Sequence, residues 1–172
     1  MRKAYDTVWR ESAYVNIHDS GVQGKLWRQL QAMHRGLEHR VRHPLGTTDP
    51  FAVERGVAQG AVESPWVYTQ FIDGLARALK RAGLGIAVAG RRVPLLMYAD
   101  DVVMLAGSQT ELARMNAVAT TFARKHRFEF NAANSAVMAF GAKRSALAAA
   151  RTRKWTLGAT PLNGCRRTFT WV

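Results

Sequence analysis

Two adjacent aspartates, Asp100 and Asp101, interrupt an otherwise apolar run from Val93 to Gly107. Neighbouring charges of like sign are costly to bury unless cations compensate them. Val93–Ala99 and Val102–Ala106 are rich in β-forming residues, so the pair is expected at the tip of a β-hairpin, where aspartate tolerates turn backbone. The run is also too short and too charged at its middle to cross a bilayer, which takes about 20 apolar residues. Two readings of the pair stand side by side. It is a polar hairpin end and nothing more, or it holds Mg²⁺, with Mn²⁺ able to replace it. A cation would relieve the repulsion between the carboxylates. Carboxylates that hold two such ions can clamp an in-line phosphoryl transfer.

The chain around this pair has 172 residues, the length of one domain, and 48% of them are hydrophobic, enough for a core. Its 25 Lys and Arg outnumber 12 Asp and Glu, giving a net charge of +13. Such an excess points to a polyanion, nucleic acid first and an acidic membrane surface second. A single cysteine, Cys165, excludes an intrachain disulfide framework and cysteine-rich zinc modules. Met1 is followed by Arg2 and Lys3, then Asp6 and Glu11, with no apolar signal region. The expected location is therefore intracellular, in nucleus or cytoplasm. The histidines His18, His34, His39, His43 and His126 have no metal-ligand spacing.

Periodicity predicts helices over 3–19, 25–36 and 109–126, the last with Leu112, Met115, Ala119 and Phe122 on one face. A further helix should start at Ser64-Pro65, with the serine hydroxyl as cap, and stop at Gly83. Short strands are expected at 38–45 and 50–57 around a Gly46–Asp49 turn, with a loop from Gly56 to Glu63. Others are expected at Phe128–Phe130 and Ser135–Phe140, and in the tail at Trp155–Leu157 and Thr168–Val172. Helices and strands mix without βαβ alternation, which argues for an α+β fold on antiparallel sheet. The basic run contains Lys143, Arg144, Arg151, Arg153 and Lys154, which either track a nucleic-acid backbone or form a solvated face.

Ahead of the aspartates lies Arg55-Gly56-Val57-Ala58-Gln59-Gly60-Ala61-Val62-Glu63-Ser64-Pro65. It resembles the palm signature Arg-Gly-Val-x-Gln-Gly-x-x-x-Ser-Pro of reverse transcriptases. Arg2 to Trp9, Tyr98-Ala99-Asp100-Asp101, Phe122 to Asn131 and Ser135 to Met138 extend the likeness in order. The series resembles the reverse transcriptases of LINE-type (non-LTR) retrotransposons over nearly the whole chain.

The resemblance implies an antiparallel-sheet, palm-like fragment of a right-hand polymerase with packed helices, covering residues 1–172 and lacking most of the fingers and the thumb. It implies RNA-directed DNA synthesis from an RNA template, a DNA primer and deoxynucleoside triphosphates. Asp100 takes the place of the family's metal-binding acid, with Asp101 as its partner, and both are candidates for catalysis. Tyr5 aligns with the aromatic gate that excludes a ribose 2′-hydroxyl, although a core aromatic would suit the same position. Gln59 and Gly60 belong beside the incoming nucleotide, and Arg55 either neutralises phosphate or is a surface arginine.

Two departures matter. The position matching the family's first catalytic aspartate falls immediately before Met1, so the isolated chain is expected to lack synthesis while keeping a loose metal site. Asn134 stands where many relatives carry a lysine. The alternative reading is a catalytically dead, nucleic-acid-binding remnant.

Overall fold

The first helix, α1, spans Arg10–Asp19 and not the expected 3–19. Lys3 is left-handed (φ 49°) and Trp9 is extended (ψ 102°), so helical geometry cannot propagate back through residues 3–9. The intervening carbonyls serve a different partner: Gly56 donates to Val8 and Val57 to Tyr5, each at 2.9 Å. These observations come from a computed structural model that describes residues 3–140, 154–157 and 160–162. Within it, Lys3–Gly74 forms one compact unit and the described residues from Leu75 onward belong to another.

In the first unit α2, Gly24–His34, packs on α1. The Trp27 indole N–H donates to the Tyr14 carbonyl at 3.0 Å, and the His18 ring meets Trp27 edge-on. The start of α3, Ser64–Arg81, is tied to α1 by the Asn16 amide, which donates to the Gln70 carbonyl at 3.1 Å. Val8, Ala13, Ile17, Val67, Tyr68, Phe71 and Ile72 are buried here. Ser64 is itself the first helical residue, so it does not take the extended conformation from which a hydroxyl caps. Its buried Oγ has no hydrogen-bond partner, which corrects the capping expectation.

The expected strands of this unit are present as short ladders. β1 (Glu38–His39) pairs with β4 (Phe51–Ala52), and β2 (Arg42–His43) with β3 (Gly46–Thr47). The tip is Pro44-Leu45 and not Gly46–Asp49, because Thr48 belongs to the ladder side: it exchanges hydrogen bonds with Val41 through its amide and hydroxyl. Between the two ladders, residues 40–41 face residues 48–50. The extra residue is a bulge at Asp49-Pro50, where proline has no N–H for the ladder.

The second unit begins in the last turns of α3. Gly83 and Leu84 close that helix by donating to Lys80 and Leu79 at 3.0 and 3.2 Å, the stop expected from the sequence. A hairpin not expected from the sequence follows, β5 (Ile86–Val88) with β6 (Arg91–Val93), turning at Ala89-Gly90. Pro94 then leads into the aspartate hairpin, β7 (Leu95–Tyr98) with β8 (Asp101–Met104). The next helix, α4, spans Gln109–Lys125 and buries Met115, Ala119 and Phe122, as its periodicity predicts.

Phe128–Phe130 is not a strand. Arg127 is left-handed (φ 58°) and Phe128 donates back to Ala123 at 3.1 Å, so these residues finish α4. The Phe128 ring packs edge-on against Phe122 and Phe130. Ser135–Phe140 has only a single bridge residue, Ala136, after a 3₁₀ turn at Ala132–Asn134. β9 (Thr156–Leu157) pairs with β10 (Thr160–Pro161), and the Asn116 amide ties β9 to α4 through the Thr156 carbonyl at 3.0 Å. The expected strand at 168–172 lies outside the described residues. Among those described, every ladder is two-stranded and antiparallel, and the class is mixed α+β as expected. No helix among them is long and apolar enough to cross a membrane.

Candidate functional site

Four of the candidate residues, Tyr5, Arg55, Gln59 and Gly60, belong to the first unit. The segment Val53–Val57 is fixed there by a buried cation that sequence reasoning missed. The Arg10 guanidinium donates through Nε to the Gly56 carbonyl (2.6 Å), through Nη1 to His34 (3.1 Å) and through Nη2 to Val53 (2.8 Å). Three carbonyl dipoles thus stand where a counter-ion would be, which is how a buried charge is made tolerable. No local signal distinguishes Arg10 in the sequence, because its acceptors are 24 to 46 residues away.

Gly56 completes this arrangement. Its φ is +86°, and a Cβ would sit 2.8 Å from the Asp6 carbonyl oxygen. Only glycine permits that approach of the loop to the Tyr5–Val8 turn. Tyr5 is half-buried, with its ring stacked on core residue Tyr68 at a centroid distance of 5.3 Å and 15° between planes. Arg55, Gln59 and Gly60 are exposed. The Gln59 amide points at the Asp6 carboxylate across 3.5 Å, a long and weak contact. Asp6, His39, Phe51, Arg55 and Gln59 line a cleft of about 570 Å³. His39 and Phe51, paired across β1 and β4 with their rings edge-to-face, were not candidates from the sequence.

The carboxylate pair belongs to the second unit, at the expected hairpin. The turn comes one residue earlier than expected: Asp101 opens β8, and Val93 pairs with Ile86 in the preceding hairpin. Tyr98 pairs with Asp101, leaving Ala99 and Asp100 as a two-residue loop. Ala99 is left-handed, with φ 50°. Alternation along the ladder turns Leu95, Met97, Val102 and Met104 inward. Leu96, Tyr98, Asp101 and Val103 are exposed, and so is Asp100. The base of this hairpin meets the start of α4. There Ser108 caps the helix by accepting from the Glu111 amide at 3.1 Å, and Glu111 binds two glycine amides with its two oxygens.

Among the described residues, no three His, Cys, Asp or Glu side chains gather into a metal cage. Two adjacent hard-oxygen donors open to water instead suit a cation that keeps part of its hydration, as Mg²⁺ does. Of the basic candidates, Lys154 is exposed, while Lys143, Arg144, Arg151 and Arg153 lie outside the described residues. Asn134 is exposed in the 3₁₀ turn.

Comparison with known proteins adds to this geometry. Residues 1–159 match the family described as "Reverse transcriptase (RNA-dependent DNA polymerase)". The chain is 26% identical over 137 residues to the "Retrovirus-related Pol polyprotein from type-1 retrotransposable element R2" of Popillia japonica. The alignment covers 78% of this chain and 19% of that polyprotein, so the chain spans about a fifth of its relative's length. With the family matched across nearly all of its residues, this chain belongs to the reverse transcriptases.

Proposed function

We propose that the chain is the palm portion of a retroelement reverse transcriptase and serves RNA-directed DNA synthesis. The observation that carries this reading is the exposed Tyr98–Asp101 hairpin tip in a chain that the family matches over residues 1–159. Asp100 and Asp101 would hold Mg²⁺ or Mn²⁺. When bound, the ion neutralises phosphate charge, the main demand of phosphoryl transfer. The rest falls to the protein's own groups. The Arg55 guanidinium engages phosphate oxygens, and the Gln59 amide and the open backbone at Gly60 meet the nucleotide. Tyr5, braced on Tyr68, would exclude a ribose 2′-hydroxyl. The partners are an RNA template, a DNA primer and deoxynucleoside triphosphates. Lys143, Arg144, Arg151, Arg153 and Lys154 hold the strands through phosphates, so affinity should fall linearly with salt on logarithmic axes.

The test is binding of a deoxynucleoside triphosphate to the chain on a primer–template, with and without Mn²⁺. Mn²⁺ should tighten binding, and Asp100→Asn should remove the gain. Equal gain in wild type and Asp100→Asn would overturn the assignment of the aspartates.

A further inference from the structure

The segment from Gly85 to Gly107 leaves the end of α3, forms two hairpins in succession and returns at the start of α4. One side chain holds both ends of it. Glu111 Oε1 accepts the Gly85 N–H at 2.9 Å, and Oε2 accepts the Gly107 N–H at 2.7 Å. Further contacts knot the same place. Leu105 donates to the Pro94 carbonyl at 2.8 Å, closing the base of the aspartate hairpin. Gly85 lies so close to Pro94 that a Cβ there would fall 2.5 Å from the proline Cα. Arg92 donates to the Gly85 carbonyl at 2.8 Å and stands 4.0 Å from Glu111. The carboxylate therefore joins the entry, the middle and the exit of the excursion that carries Asp100 and Asp101.

We infer that Glu111 is a positioning residue for the Asp100–Asp101 tip: its carboxylate clamps the base of the β7–β8 hairpin and so fixes the direction in which the two aspartates point. A helix-capping role alone would need only one of its oxygens near the helix start. Reaching across to Gly85 does nothing for α4 and does tie down the hairpins. A two-stranded ladder has little stability of its own, so its orientation depends on how its base is held. The clamp needs two acceptors. Glutamine keeps the shape but offers one acceptor and an NH₂ group, which faces a second N–H as donor against donor.

The link to metal rests on the proposed role of the aspartates, and two readouts separate the two ideas. The first is amide hydrogen exchange of residues 95–104 in the full chain. The second is Mn²⁺ affinity, read from paramagnetic broadening of the Asp100 and Asp101 amides. Glu111→Gln should speed exchange in the hairpin by about tenfold or more, beyond any change in α4. It should also weaken Mn²⁺ by about tenfold, the lower end of what losing a supporting contact costs a metal site. Ser108→Ala removes the cap while leaving both glycine bonds, and should do neither. Equal effects of the two variants would reduce Glu111 to a helix cap and overturn the inference. Unchanged hairpin exchange in Glu111→Gln would overturn it whatever the metal does. Absent broadening in the wild-type chain would overturn the metal reading, leaving the exchange comparison to decide the clamp.

Discussion

Each unit is organised by one charged side chain that gathers distant backbone, and the two do so with opposite sign. Arg10 is a buried cation that donates to three carbonyls from residues 34–56. Glu111 is a partly shielded anion that accepts from two amides on either side of the hairpins. A guanidinium stays charged at any accessible pH, so the first arrangement is permanent. A carboxylate can be protonated, so the second is conditional. Shape and burial, more than the number of hydrogen bonds, should decide which unit tolerates change.

The comparison breaks most severely at Arg10. Arg10→Ala strands three carbonyls and should cost about 3 kcal/mol or more, read as a shift of the denaturation midpoint. A loss under about 1 kcal/mol would mean that water replaces the guanidinium. Gly56→Ala meets both a positive φ and the Asp6 carbonyl, and should cost about 2 kcal/mol by the same measurement.

In the other unit Glu111→Gln should cost about 1–2 kcal/mol, because one of the two hydrogen bonds survives, as a neutral one to the amide oxygen. Acid should imitate it. The Glu111 carboxyl is held below its ordinary value, chiefly by the Gly107 amide and then by that of Gly85. A depressed carboxyl contributes stability that is present above its ordinary unfolded range and is lost as the pH falls through the folded value. Below that range, amide exchange should rise at Gly85 and Gly107 before it rises at Gly56 and Val57. In the first unit, beside Arg10, burial pushes the Tyr14 phenol up to about 12, far from any acid transition. Simultaneous loosening of both units would erase the contrast. The smallest effect is that of Ser108→Ala, about 1 kcal/mol, confined to α4.

What the sequence disclosed follows the range of the forces involved. The aspartate hairpin, α4 and the stop at Gly83 are written in local patterning; α4 and the stop stand where expected, and the hairpin's turn is one residue earlier. The hairpin over 86–93 was hidden because Val88-Ala89-Gly90 is a weak turn signal and its arms are short. Phe128–Phe130 has strand composition, but its backbone is taken by the end of α4. The start of α1 and the tip at Pro44-Leu45 are set by partners elsewhere in the chain, as are the roles of Arg10 and Glu111. The candidates of the Arg55–Gly60 loop came from motif order, which carries no geometric signal of its own.

Ala99 occupies a left-handed backbone position in the loop between Tyr98 and Asp101, where glycine would rest more easily. An L-residue there stores about 1–2 kcal/mol of strain. The same Cβ narrows the conformations open to the loop, both in the folded chain and in the unfolded one. Ala99→Gly would relax the turn and widen the ensemble of the Asp100 side chain beside it. Alanine thus gives up some ease of folding for a loop of narrower conformation, which restricts the backbone that carries Asp100 and leads into Asp101.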